Sequence, residues 1–235
     1  MRSVPPHRLR HRRAGLALAC GALLACSCAK FPEGGITPDV QRLVFKMTVE
    51  RELKPSYVYI VALRISTDDN PIGSGPIPVV APPWGNGFVA GNATHYVRWD
   101  AATSPQFLIY EFQDGSLINS FPTGAPIAFT PVQAGDKTLE FEVSLDQLES
   151  PSADLRSIQV NFLTMDKVPT GTQAVTKNWD ALGDGRVPSQ VNTWITIPVR
   201  TSGLYDNARF GNLEPQGDAP DPDLEITDFS VEVRL

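Results

Sequence analysis

Most of the chain consists of short runs in which apolar and polar residues alternate. The clearest run covers residues 139–144, where Leu, Phe and Val alternate with Glu140, Glu142 and a serine. A period of two places successive side chains on opposite faces of a strand, so this run predicts a strand with Glu140 and Glu142 in water. Similar alternation at residues 43–49 and 224–235 predicts the first and last strands of the folded part.

A second kind of run is apolar on both faces. Residues 57–65 read Tyr-Val-Tyr-Ile-Val-Ala-Leu-Arg-Ile, with no charged position before Arg64. A strand of this composition is typical of the centre of a sheet that is covered on both sides. Further strand patterns occur at residues 95–99, 106–112, 116–118, 127–132, 158–164 and 194–199.

These patterns together predict the fold class. A helical pattern is confined to residues 146–156 and is interrupted by Pro151, whereas turn residues are abundant throughout. Many short strands with almost no helix indicate an all-β protein, an antiparallel β-sandwich of the jelly-roll or immunoglobulin-like type. The length favours a single domain over residues 40–235, with two domains as the alternative.

Two long segments between strand patterns, residues 66–93 and 165–192, have the composition of loops. Loops of this length are often functional. Each contains a tryptophan next to hydrogen-bonding side chains, and these are the candidate ligand-binding residues: Trp84, Asn86, Trp179 and Asp180. An apolar ring stacks on the face of a sugar while polar neighbours bind its hydroxyl groups. The alternative is that each tryptophan packs its own loop against the sandwich, as we expect for Trp99 and Trp194 within strand patterns.

The N-terminus has a different pattern. Residues 1–13 contain five arginines and no acid, residues 14–25 form an apolar run, and small residues surround Cys26. A basic region, a short apolar region and a small residue at the cut describe a secretory signal peptide. The apolar run is too short to cross a bilayer core of about 30 Å, which takes about 20 apolar residues.

The tetrad at residues 23–26, Leu-Leu-Ala-Cys, resembles the lipobox of bacterial lipoprotein signal peptides, Leu-x-Ala/Gly-Cys. The resemblance implies that the signal peptide at residues 1–25 is removed and that Cys26 becomes the acylated N-terminus. Residues 26–39 then form a lipidated tether, which anchors the fold to the membrane. The implied location is the bacterial cell envelope, outside the cytoplasm. Ser27 rather than Asp after the cysteine favours the outer membrane where the host has one.

The positions of the cysteines and histidines limit which disulfides, metal sites and catalytic groups the folded part can contain. All three cysteines lie at or before position 28, and Cys20 and Cys28 compete with Cys26 for lipidation. An ordinary secretory signal without a lipid is a further alternative. The folded part therefore lacks an internal disulfide, a cysteine zinc site and a cysteine nucleophile. His95 is the only histidine after the signal peptide, so a catalytic Ser-His-Asp triad would have to use it. The favoured interpretation of His95 is instead a neutral histidine within the sheet.

The charge excludes two classes of partner. The signal peptide holds five of the 20 basic residues and no acid, so the remaining chain carries 15 basic and 26 acidic residues, a formal charge of −11. Binding to nucleic acid or to an anionic membrane surface needs clustered Lys and Arg. We therefore expect no nucleic-acid partner, and contact with the membrane through the N-terminal lipid.

Three groups of side chains offer the oxygen ligands that calcium prefers. They are Asp68-Asp69-Asn70, Asp180 with Asp184, and Asp218 with Asp221 and Asp223. None has the spacing of an EF-hand loop, and solvated turn residues explain each group. The sequence therefore assigns no metal and no cofactor, and leaves a structural calcium open.

The body of the chain resembles the secreted carbohydrate-binding sandwiches of family 9 and the DOMON class, through the strands at residues 139–144, 158–164 and 224–235. The resemblance is one of fold and implies no particular site. We expect a non-catalytic, lipid-anchored module that binds a glycan or an envelope protein. The alternatives are a structural subunit of an envelope complex and a hydrolase that uses two carboxylates.

Overall fold

The computed structural model describes residues 40–149 and 152–235. The signal peptide, Cys26 and the tether, predicted within residues 1–39, lie outside the described residues. All described residues belong to one compact unit. No helix among them is long and apolar enough to cross a membrane.

Fourteen strands and four 3₁₀ turns make up the regular structure of the described residues. The strands are β1 (Arg42–Val49), β2 (Val58–Ser66), β3 (Pro76–Pro78), β4 (Val89–Gly91), β5 (His95–Trp99), β6 (Phe107–Phe112), β7 (Ser120–Gly124), β8 (Ala128–Phe129), β9 (Thr138–Ser144), β10 (Ser157–Met165), β11 (Trp179–Ala181), β12 (Ile195–Pro198), β13 (Gly203–Asp206) and β14 (Ile226–Arg234). The 3₁₀ turns are Asp114–Ser116, Leu145–Gln147, Ser152–Asp154 and Ala208–Phe210. The strand pairs are antiparallel, which confirms the predicted all-β, sandwich-like class.

The strands form two main sheets and a small hairpin. The order in the five-stranded sheet is β13-β14-β1-β9-β8, and the order in the seven-stranded sheet is β11-β10-β2-β5-β6-β7, with β12 also paired to β10. β11 and β12 pair with different stretches of β10, so both lie on the same side of that strand. β3 and β4 form the hairpin. The chain passes from one main sheet to the other after β1, β7, β9 and β12.

The five-stranded sheet buries one face. Phe45 of β1 and Phe141 of β9 are register partners, and their rings stack at 5.2 Å in the core between the sheets. The opposite face carries Glu140, which is exposed, and Glu142, which accepts a hydrogen bond from Arg234 Nη1 at 3.2 Å. The alternation predicted for β9 is therefore present in the structure.

The seven-stranded sheet buries both faces. Every residue of β10 is buried. Val160 and Phe162 belong to the main core between the sheets, whereas Leu163 and Met165 belong to a second core on the outer face. The residues of β2 divide between the two cores in the same way, which confirms the prediction of a central strand covered on both sides.

The outer core is closed by the two segments whose composition predicts loops. Val89 of β4 and Ala181 of β11 lie in this core, and Phe88, Val168 and Trp179 pack against it. The strands in these segments have three residues each, which is too short to show a period of two. The sequence pattern therefore predicts the sheet but not the cover on its outer face.

A buried amide ties this cover to the sheet. Asn161, in the middle of β10, is completely buried. Its Nδ2 donates to the carbonyl oxygens of Pro76 at 3.0 Å and Thr193 at 2.9 Å. Its Oδ1 accepts from the Leu182 amide at 3.1 Å. Backbone groups of Pro76, Leu182 and Thr193 therefore depend on this one side chain for a hydrogen bond.

We predict that Asn161→Leu lowers the free energy of unfolding by about 3–5 kcal/mol, because three buried backbone groups lose a partner at about 1–3 kcal/mol each. Urea unfolding followed by tryptophan fluorescence measures the change. Thr196→Val is the matched control on β12, since its hydroxyl contacts Gln159 Nε2 at 3.5 Å, near the limit of a hydrogen bond. The control should stay within about 0.5 kcal/mol of wild type. Wild-type stability in Asn161→Leu would contradict the anchoring role.

Candidate functional site

Trp84 lies inside the fold. Its side chain is 1% exposed, and its Nε1 donates to the Gln173 carbonyl oxygen at 2.8 Å. Its backbone amide donates to the Gly171 carbonyl oxygen at 3.0 Å. The interpretation of Trp84 as a ligand-binding residue is therefore wrong, because a buried ring presents no free face to a sugar. Trp84 instead fixes the first long loop to the second, as the packing alternative expects.

Asn86 also has a structural role. Its Nδ2 donates to the carbonyl oxygens of Val89 at 2.9 Å and Leu117 at 2.8 Å. Its Oδ1 accepts from the backbone amides of Phe88 and Val89, both at 2.9 Å. An asparagine side chain has two donors and an oxygen with two acceptor positions, so all four are in use. Asn86 therefore has no free group for a ligand, and its assignment as a binding residue is wrong as well.

A buried lysine that the sequence pattern does not single out completes the contact between the loops. Lys177 Nζ donates to the carbonyl oxygens of Val79 and Gly87, both at 2.8 Å. Burial lowers the pKa of the Lys177 amine to about 8, although the negative charge of Asp166 acts to raise it. At Gly87 φ is +84° and an added Cβ would collide with the Pro169 carbonyl oxygen, so the close approach of the two loops requires glycine there.

Trp179 and Asp180 point to opposite sides of β11. Trp179 is the register partner of Met165 and packs, partly buried, at the margin of the outer core. Asp180 is the register partner of Thr164 and is 1% exposed. Because successive residues of a strand face opposite ways, one ligand cannot contact both side chains as predicted. Trp179 is partly exposed, whereas Asp180 is buried.

We predict that Trp84→Ala lowers the free energy of unfolding by about 3–5 kcal/mol, the range for a completely buried aromatic side chain. Trp179→Ala should cost clearly less, because part of its ring is already in water in the folded state. Urea unfolding of both variants, followed by far-UV circular dichroism, makes the comparison. Equal losses in the two variants would contradict the difference in burial.

Asp180 is one of three carboxylates that meet where the two main sheets adjoin, with a fourth carboxyl group beside them. Carboxylate oxygens of Asp180, Asp218 and Glu225 all lie within 4.8 Å of one another. Glu214 adjoins them: it is 2% exposed, and the charges that act on it most strongly are those of Asp180 and Asp218. These four residues are called the acid cluster below. Asp180 is on β11 and Glu225 directly precedes β14, so the cluster connects the two sheets.

Backbone amides hold each carboxylate of the acid cluster in place. Asp180 accepts from Ala181 and Ile226, Glu214 from Gly183, Asp218 from Gly185, and Glu225 from Gly217 and Ala219. At Gly183 φ is +96° and an added Cβ would lie 2.6 Å from the Gln190 carbonyl oxygen. The path that brings the Gly183 N–H to Glu214 therefore requires glycine. Two buried oxygens, Glu214 Oε1 and Asp218 Oδ1, have no hydrogen-bond partner among the described residues.

Burial is the largest cause that raises the pKa of every carboxyl group in the cluster. The pKa of Glu214 rises to about 11, with the charges of Asp180 and Asp218 adding to the effect of burial. Arg186, whose charge reaches Asp218, binds Asp184 instead, with 2.8 Å between Nε and Oδ1. No ion pair of the described residues includes a member of the cluster. The arrangement can therefore either retain protons or bind a cation.

The structure regroups the acids that the sequence offered as calcium ligands. Asp68 and Asp69 are exposed. The other members outside the cluster have partners of their own: Asp184 binds Arg186, Asp221 accepts from the Tyr57 hydroxyl at 2.7 Å, and Asp223 pairs with Lys54. Asp180 and Asp218 come together from two different groups. Glu214 and Glu225 were not predicted, because no local pattern distinguishes them from solvated acids.

His95 is enclosed by the sheet. Its side chain is 3% exposed, and its Nδ1 lies 3.0 Å from Thr94 Oγ1. Burial lowers the pKa of His95 to about 4, so the ring is neutral at pH 7. Its register partners are Leu63 and Glu111 on the neighbouring strands. This environment supports the interpretation of His95 as a neutral sheet histidine.

Comparison with protein-family models, with curated proteins and with solved structures finds no significant match to this chain. Functional inference therefore depends on the residues and geometry described above.

Proposed function

We propose that this protein is a lipid-anchored, extracytoplasmic β-sandwich that binds a ligand or a partner and catalyses no reaction. The observation that supports a non-catalytic role is the burial of groups with acid–base chemistry. His95, Lys177, Asp180, Glu214 and Glu225 are each at most 8% exposed. A general acid or base has to come within hydrogen-bond distance of its substrate. These groups are enclosed by the fold, and the four besides His95 are hydrogen-bonded to backbone.

The anchoring part of the proposal is supported by the arginine-rich start, the apolar run at residues 14–25 and Cys26. A single acyl chain holds a protein marginally, whereas two or more make release slow. The tether at residues 26–39 spans at most about 50 Å when fully extended, since each residue adds about 3.3–3.6 Å. The sandwich is therefore held close to the membrane surface.

Cys26→Ser should move the protein from the membrane fraction to a soluble or unprocessed form, because it removes the thiol that carries the lipid. Fractionation of bacterial cells followed by immunoblotting measures the distribution. Cys28→Ser is the matched control and should stay with the membrane. If wild type and Cys26→Ser distribute alike, lipidation at Cys26 is wrong. Solubility of Cys28→Ser alone would place the lipid on Cys28.

A carbohydrate is the ligand class that we propose, and Trp179 is the candidate that supports it. Trp179 is partly buried, and its ring lies over Gly185, where an added Cβ would be 3.7 Å from the indole Cη2. An aromatic ring that is fixed on one side and exposed on the other can stack on the apolar face of a sugar.

On a glycan array, Trp179→Ala should bind about tenfold or more weakly than wild type, because aromatic stacking contributes about 1 kcal/mol or more beyond buried area and 1.4 kcal/mol is a factor of ten. Trp194→Ala is the matched control: Trp194 is also partly buried, but its ring packs over Gly75. The control should bind like wild type. Undiminished binding by Trp179→Ala would rule out Trp179 as the sugar-binding residue.

A second candidate function, a structural subunit of an envelope assembly, is favoured by the edge strand β7. β7 ends the seven-stranded sheet, and three of its five residues are exposed. Phe121 on this strand is 39% exposed, and the nearby Ile118 is 61% exposed. An open edge with exposed apolar side chains suits pairing with a strand of another protein. A wild-type chain that binds no glycan, and whose co-purification with an envelope protein depends on Phe121, would favour this function.

A further inference from the structure

We propose that the acid cluster of Asp180, Glu214, Asp218 and Glu225 is a binding site for a divalent cation, with Ca²⁺ the best fit. The Trp179 ring lies beside this site at Gly185, but the proposed ligands are the carboxylates and not the indole. The inference therefore holds whether or not the module binds a glycan.

The number and burial of the carboxylates fit calcium. Carboxylate oxygens of Asp180, Asp218 and Glu225 lie within 4.8 Å of one another, close enough for one ion to contact all three. Ca²⁺ takes six to eight oxygen ligands, among them Asp and Glu carboxylates, at about 2.3–2.6 Å. Mg²⁺ usually keeps several waters and binds through one or two carboxylates, so this set of acids suits Ca²⁺ better.

Two carboxylate oxygens of the cluster are buried and have no hydrogen-bond partner among the described residues, so they are available to an ion. Glu214 is 2% exposed, and its Oε2 accepts from the Gly183 amide at 3.0 Å while its Oε1 has no partner among the described residues. Asp218 has the same arrangement, with Oδ2 on the Gly185 amide at 2.7 Å and Oδ1 unpartnered. In each case the backbone fixes one oxygen and leaves the other for an ion.

The carboxylates of the cluster are also not neutralised by a basic side chain of the described residues. Buried charges are generally paired or coordinate a metal, because their removal from water is costly. The described residues place no Lys, Arg or His in an ion pair with any of the four carboxylates. A divalent ion supplies two positive charges at the point where Asp180, Asp218 and Glu225 meet, beside Glu214.

The site adjoins a surface cleft and has a structural consequence. The cleft, of about 490 Å³, is lined in part by Gly217, Glu225 and Thr227, so it meets the cluster at Glu225. Asp180 belongs to the seven-stranded sheet, whereas Glu225 leads into the five-stranded sheet. An ion bound here therefore joins the two sheets and should stabilise the fold.

The test uses the full chain, purified in detergent, stripped with EDTA and then titrated with CaCl₂ during thermal unfolding. At Ca²⁺ about one hundred times the dissociation constant, we expect the Tm to rise by about 5–10 °C. Mg²⁺ should raise the Tm less at equal concentration. Tb³⁺, which occupies calcium sites, should luminesce on tryptophan excitation because the Trp179 ring lies over Gly185, whose amide holds Asp218.

The variants Glu214→Gln and Asp218→Asn keep the shape of the side chains and remove the charge. Both should lose the Ca²⁺-dependent rise in Tm, whereas Asp68→Asn, in an exposed acidic turn, should keep it. Far-UV circular dichroism confirms that each variant is folded. Asp218 is only partly buried, so we expect Asp218→Asn to fold. This variant therefore tests the proposal even if Glu214→Gln does not fold.

Two results would overturn the proposal. One is a wild-type chain whose Tm does not respond to Ca²⁺ and that shows no sensitised Tb³⁺ emission. The other is a Ca²⁺ response that survives in folded Asp218→Asn. If EDTA-treated Glu214→Gln is more stable than wild type while Ca²⁺ has no effect on either, the cluster is a network of protonated carboxyl groups and not a metal site.

Discussion

The seven-stranded sheet has two apolar faces, and the rest of the structure follows from that constraint. β10 is buried at every position, so neither of its faces can be left in water. The five-stranded sheet covers the inner face, and the two long loops cover the outer face. A loop that covers a core has to satisfy its own backbone groups there. The side chains of Asn161, Asn86 and Lys177 do this by hydrogen bonding to backbone groups, and Trp84 packs between the loops.

The same sheet is joined to its partner by a polar seam. The chain around the start of β14 accepts hydrogen bonds from β2 and β10 and donates one to β11, all of them strands of the seven-stranded sheet. The Tyr59 hydroxyl donates to the Asp223 carbonyl oxygen at 3.0 Å, and the Thr164 hydroxyl donates to that of Leu224 at 2.5 Å. The Ile226 amide donates to Asp180 at 2.6 Å. The acid cluster lies at the end of this seam, so its charge state acts on the contact between the two sheets.

Local patterns in the sequence were sufficient for the long strands and insufficient for the site. β5 begins and ends at the predicted residues, because a run rich in aromatic and β-branched residues favours a strand. The strand predicted at residues 116–118 lies instead at β7, since Leu117 adopts φ of 57° after a 3₁₀ turn. Trp179 and Asp180 were grouped because they are adjacent, although adjacency in a strand separates side chains. Asp180 and Glu225 are brought together by pairing between distant segments, which no local period records.

The composition of the acid cluster is itself an argument for an ion. Glu214 and Asp218 each accept a backbone amide with one oxygen only, which glutamine or asparagine could do without charge. Burying carboxylates costs more than burying amides, so hydrogen bonding alone gives no reason for acids at these two positions. Gly183 adds a second constraint, since its positive φ and close contact with Gln190 serve to bring an amide to Glu214. A cation that binds only the charged form accounts for both features, because it turns the cost of buried carboxylates into a link between the sheets.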